Sequence, residues 1–212
     1  MLPGAGKEFR KAAMPKIVDH EKRRAEIAET AANLIARGGL ESATVREIAN
    51  ASGYSKGIVE HYFDGKSELI SAALAWANEQ YFERADVATK GKRGLAALRA
   101  RLGATIPNSA SLRAEWKVRL VFWGTAAIDP DLQKQQAART RDAIAHFAGD
   151  LLDAREIGEV PSRGSVTSAA RHVLFAATGL SCTILHNPRA YTKKVVETEI
   201  DRIVSTAVAP MR

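Results

Sequence analysis

Apolar side chains recur along most of this chain at intervals of three and four residues, the spacing that gathers them on one face of an α-helix. Ile27, Ala31, Leu34 and Ile35 form the first such stripe, and Gly38 with Gly39 supplies the left-handed stop expected behind it. Thr44 stands three residues before Glu47, a capping-box spacing, and Val45, Ile48 and Ala49 give the short helix that follows a buried side, closed by Ser52 and Gly53. Ser55 is a good N-cap for a third short helix through Ile58, Val59 and Tyr62 to Phe63, where Asp64 and Gly65 break the chain. A long fourth helix is expected from Ser67 to about Ala88, its apolar positions being Leu69, Ile70, Ala73, Leu74, Ala77, Tyr81 and Phe82.

Further on, Gly91, Gly94 and Pro107 bracket a shorter helix, and another runs from about Leu112 to Ile128. Asp129 and Pro130 read as the N-cap and first residue of a helix through Leu132, Ala143, Ile144, Phe147 and Leu151. Gly158, Pro161 and Gly164 mark a loop. Two last helices are expected over about Val166 to His186 and about Thr192 to Ala207, parted by Asn187 and Pro188. Nothing alternates with the period of a strand, and no repeat is visible. The expected fold is all-α with about nine helices. A flexible basic arm is expected over residues 1–18, a three-helix head over 19–66 and a larger helical body over 67–212.

The region from Thr44 to Lys66 carries the functional reading. Two short helices joined across Gly53 make a helix-turn-helix, in which Ala49 permits a close crossing and glycine permits the positive φ of the corner. Val59 and Tyr62 fall on the buried side. Ser55, Lys56 and Gly57 then lead the second helix into a major groove. Charge agrees: 31 Lys and Arg against 24 Asp and Glu give +7, and the first 24 residues are rich in Lys and Arg. Such an excess suits a polyanionic partner, here double-stranded DNA.

Residues 20–70 resemble the DNA-binding head of the TetR/AcrR family. The resemblance is carried by Gly39, Leu40, the run Ala43 to Ala49, the run Ser52 to Gly57, Tyr62, Phe63, Lys66 and Leu69. It implies a phosphate contact for Lys66 at the start of the fourth helix and an approach to DNA by Thr44 and Arg46 from the second. Tyr54, His61 and Tyr62 join the candidate DNA contacts. Tyr54 either touches the DNA backbone or packs the turn, and His61 either faces DNA or is merely exposed. Glu60 departs from the family, which often has a phosphate-binding tyrosine there. It either turns away or accepts a hydrogen bond from a cytosine amino group.

Val121 to Ala127, with Pro130 and Leu132, resembles the BetI-like subgroup, whose namesake responds to choline, and so do Gly57, Ile58, His61 to Phe63, Gly65 and Lys66. The resemblance implies a body with an effector pocket, for which Trp76, Phe82, Trp116, Phe122, Trp123, Phe147 and Phe175 are the candidates. Aromatic faces would suit a cationic or flat apolar effector. It further implies a homodimer through Leu174, Ala177, Leu180, Ser181 and Ile184 of one terminal helix and Val196, Ile200, Ile203 and Val204 of the other. Two heads would then meet a palindromic operator, and repression is the expected outcome.

Other classes fit poorly. The longest apolar runs fall well short of the roughly 20 residues of a membrane span, and residues 1–16 lack the apolar core of a secretory signal, so a cytoplasmic protein is expected. His20, His61, His146, His172 and His186 are not at metal-ligand spacing, Cys182 is the single cysteine, and no phosphate-loop or nucleophile-elbow motif occurs. No catalytic residue, metal or cofactor is expected. A helical adaptor that binds only protein is the alternative, but it leaves Arg46, Lys66 and the capped short helices unexplained.

Overall fold

The computed structural model describes residues 16–211. Among these the chain forms nine α-helices and no strand: α1 (Lys16–Gly38), α2 (Val45–Ser52), α3 (Lys56–Tyr62), α4 (Gly65–Thr89), α5 (Gly94–Thr105), α6 (Ala110–Ala126), α7 (Pro130–Glu156), α8 (Val166–His186) and α9 (Lys193–Val208). Residues 1–15 of the expected arm lie outside the described residues, and α1 already begins at Lys16, inside the stretch assigned to that arm. No helix among the described residues is long and apolar enough to cross a membrane.

Side-chain caps set several helix starts, the expected Thr44, Ser55 and Asp129 among them. Thr44, Ser55, Ser109, Asp129, Ser165 and Thr192 each accept a backbone N–H of the following first turn, which satisfies donors the helix cannot use itself. The fourth helix begins two residues before Ser67, because Glu68 reaches back to accept the Asp64 N–H.

Helices α1 to α3 close over one end of α4, with Ile27, Ile35, Ile48, Val59, Phe63 and Leu69 buried between them. Val118 of α6 belongs to that same cluster, so the core of the head continues into the body. A second cluster joins Ile70 and Leu74 of α4 to Phe122 and Ala126 of α6 and Leu132 of α7. The largest core lies in the body, where α5, α7, α8 and α9 pack around Leu98, Leu102, Phe147, Leu151, Val173, Ile184 and Val204. Helix α4, 25 residues and therefore roughly 37 Å long, runs from the head to the body and gives side chains to both.

Candidate nucleic-acid interface and effector cavity

The turn between α2 and α3 rests on Gly53, whose φ of 75° and ψ of 10° place it in the left-handed region. Behind that corner Ala49 and Val59 are buried, which fixes the crossing of the two short helices. On the outer side Thr44, Arg46, Ser55, Lys56, Gly57, His61 and Lys66 are all exposed. A Cβ at Gly57 would meet nothing within 4 Å beyond its own helix backbone, so no packing contact requires glycine there, and its bare backbone is open to close approach from outside.

Carboxylates occupy two of the cations on this face. Lys56 Nζ lies 2.9 Å from Glu60 Oε1, one turn along α3, and Lys66 Nζ lies 3.2 Å from Glu41 Oε1. Glu60 therefore stands on the outer face beside Lys56. Both pairs are solvent-exposed, and such pairs contribute little, so phosphates can displace them.

Two tyrosines of the sequence-based interface are turned inward. Tyr62 is only 8% exposed and its ring packs 4.3 Å from that of His20. Tyr54 donates its hydroxyl to Glu26 of α1, the turn-packing alternative, and this hydrogen bond raises the phenol above its ordinary pKa. His61 is exposed and lies edge-on to Tyr62. A clasp absent from the sequence reading holds the end of α3: Arg24 donates to the Tyr62 carbonyl and to Glu68 Oε1, with its guanidinium 4.3 Å above the Phe63 ring. The Arg24 hydrogen bond, and then the Asp64 N–H, hold the Glu68 carboxyl below its usual range.

A cavity of about 720 Å³ opens in the body between α4, α6, α7 and α8. Phe82, Trp116, Trp123, Phe147 and Phe175 line it, five of the seven aromatic residues named from the sequence. The other two do not. Phe122 is fully buried beneath the wall against Ile70, Leu74 and Leu132, and Trp76 faces a shallower hollow near the head with Arg24 and Glu79. Helical periodicity places both on α4 and α6 but cannot distinguish a wall residue from one behind the wall. The polar lining was not foreseen: Asn78, Arg119, Gln136, Arg139, Thr140 and Thr178 face the same space, joined by Tyr81.

A profile of bacterial regulatory proteins of the tetR family matches residues 27–73, and one of the BetI-type transcriptional repressor C-terminal region matches residues 94–209, more than half of the chain. The chain belongs to the TetR family. The chain is 42% identical over 71 residues to the transcriptional regulator PksA of Bacillus subtilis, a match spanning 34% of this chain and 35% of that one. Over 177 residues it is 28% identical to the regulator BetI of Paraburkholderia phytofirmans, covering 81% and 82% of the two chains. A transcriptional regulator from Saccharomonospora viridis, solved in complex with choline, shares the fold with a TM-score of 0.78 at 20% identity, over 87% of this chain and 96% of that one.

The terminal helices of this TetR-family chain place the residues of the expected dimer interface largely inside the body. Ala177, Ser181, Ile184, Val196, Ile200, Ile203 and Val204 are buried within the single chain, and Leu174 and Leu180 pack against the same core. Their stripes help hold the body together, with Leu174 and Leu180 only half-buried. The outward faces carry other residues: His172, Phe175, Gly179, Thr183 and His186 on α8, and Val195, Thr198 and Arg202 on α9. Phe175, at 62% exposure, is the most prominent apolar one.

Proposed function

We propose that this DNA-binding regulator is a ligand-responsive, homodimeric repressor acting in the cytoplasm on a palindromic operator. The observation that carries the reading is the bare outer edge of the helix-turn-helix, with Ser55, Lys56 and Gly57 leading and Arg46 and Lys66 beside them. The leading residues of α3 read base edges, while the flanking cations position the head on phosphates. Residues 19–66 act as the DNA-reading unit and 67–212 as the effector-binding and dimerisation unit.

Dimerisation uses the outward faces of α8 and α9 rather than their buried stripes. Phe175 and Gly179 belong both to that face and to the cavity wall, so a partner seated there also borders the effector site. The effector occupies the cavity, whose volume suits an organic molecule of moderate size and whose aromatic walls suit an apolar body. It shifts the population toward a spacing of heads that no longer matches successive major grooves, and only as far as it binds the two arrangements unequally.

Footprinting and mobility shift on the DNA flanking the chain's own gene, over a range of salt, test this reading. The expected result is a two-fold symmetric footprint, one dimer per site, with affinity falling steeply as salt rises. Absence of salt-dependent DNA binding supports the adaptor alternative, and a monomeric mass at micromolar concentration contradicts the dimer.

A further inference from the structure

The charges on the cavity wall determine what the cavity accepts. Arg119 of α6 is 92% buried as a residue, with 8% exposure, yet its guanidinium is poorly satisfied. Nε donates to Asn78 Oδ1 at 3.4 Å and Nη2 to the Ala77 carbonyl at 3.3 Å, both long, while Nη1 has no partner. The carboxylate one turn before it gives Arg119 no hydrogen bond: Glu115 is held in a fork by Arg84, with N–O distances of 2.9 and 2.6 Å. The rings of Trp116 and Tyr81 flank Arg119 at 5.5 and 5.8 Å, and no carboxylate oxygen hydrogen-bonds its guanidinium.

A second guanidinium repeats the pattern. Arg139 of α7 makes no ion pair or hydrogen bond among the described residues, its Nη1 is buried without a partner, and it lies 5.0 Å above the Phe122 ring. It borders both the cavity and the shallower hollow, whereas Arg119 borders the cavity alone of the two. Burial depresses the pKa of both groups; at Arg119 the nearby Glu115 carboxylate offsets part of that loss without bonding to the guanidinium, and at Arg139 no charge offsets it. Asp142, the one carboxylate on the wall, is exposed and pairs with neither arginine.

We infer that the cavity is built for an organic anion: a carboxylate, or a comparable oxyanion, held by Arg119 and Arg139, on an apolar body of ring size packed among Trp116, Trp123 and Phe147. The guanidinium fork matches a carboxylate with two parallel hydrogen bonds, and a buried guanidinium such as that of Arg119 is costly when its N–H groups lack partners, so an anionic ligand supplies what the wall itself does not. A quaternary ammonium ion fits the aromatic walls but meets two positive charges. The inference rests on the cavity being the effector site of the regulator proposed above.

Two probes of nearly the same shape test it on the full chain: 1-anilinonaphthalene-8-sulfonate, which is anionic, and N-phenyl-1-naphthylamine, which lacks the sulfonate. The expected result is at least tenfold tighter binding of the sulfonate, with energy transfer from the cavity tryptophans. Arg119→Met and Arg139→Met should each weaken the sulfonate about tenfold and leave the neutral probe within about threefold. Choline should displace neither probe. Equal binding of both probes, binding of neither, displacement by choline, or a sulfonate preference that survives in both variants overturns the inference. Arg139, being partly exposed, keeps the test open if the Arg119 variant does not fold. Operator binding measured without probe separates the two readings. A chain that binds DNA but shows no anion preference refutes only this inference, and one that prefers the anion but binds no DNA refutes only the regulator.

Discussion

Glu60 is the residue at which the DNA-binding face departs most from what phosphates prefer. Its carboxylate lies on the outer side of α3 and draws Lys56 along the helix, so the free chain shows a neutralised pair where a bare cation would attract the duplex. Glu60→Ala should strengthen non-specific DNA binding by roughly three- to tenfold at moderate salt and steepen the salt dependence by about one phosphate contact. Should operator affinity instead fall together with discrimination among sequences, Glu60 is reading a base. Glu68 sits behind the same face and links the head to pH. Its folded pKa is lowered, so the stability it contributes is complete above the ordinary carboxylate value of about 4.3 and is lost as pH falls through the depressed one. Glu68→Gln should therefore lower the melting temperature at neutral pH and flatten the loss of stability in acid. A thermal-melt series across that range checks it, and an unchanged acid limb in the variant contradicts the Arg24 clasp.

Among the elements, the α2–turn–α3 unit owes its shape to one backbone conformation. Gly53 has a φ of 75°, and a Cβ there would meet nothing within 4 Å, so substitution strains the backbone without causing a clash. Gly53→Ala should cost roughly 1–2 kcal/mol. Gly53→Asn should cost less, because asparagine tolerates the left-handed region, and Gly53→Val should cost most. Denaturant melts that give another order place the strain elsewhere. This unit was also the most legible in the sequence, since Thr44, Ser55 and Gly53 act through local backbone hydrogen bonds and dihedral preferences that need no knowledge of the rest of the fold. The helices of the body were legible in number and approximate ends for the same reason. What their faces touch was not. A stripe such as Ile200, Ile203 and Val204 shows that a face is buried, but its spacing is the same whether the cover is another helix of the chain or a second copy. Arg119 and Arg139 were missed because a buried cation on a helix looks, in sequence, like any surface arginine.

At the scale of the molecule, α6 is a direct physical link between the cavity and the head. Trp116, Arg119 and Trp123 look into the cavity, while Ala114, Val118 and Val121 on another face pack into the core of the head beside α1. A ligand that pulls Arg119 outward or wedges Trp123 aside must move α6, and the close packing at Val118, which is 2% exposed, passes that movement to α1. Coupling of this kind is typically worth about 5- to 150-fold in operator affinity, and it is reciprocal, so operator DNA must weaken the cavity ligand by the same factor. Val118→Ala removes two methyl groups at the joint at a stability cost of roughly 1–3 kcal/mol, and it touches neither the cavity nor the DNA face. With whichever of the two naphthylamine probes binds the cavity, the variant should keep operator affinity and probe affinity separately within about threefold of the parent. The factor by which each weakens the other should shrink several-fold. Titrating labelled operator with and without saturating probe, then probe with and without saturating operator, gives that factor twice over. If it is unchanged in both directions while the variant melts at a lower temperature, the head is reached by another route, and α4, which also borders both regions, becomes the element to dissect.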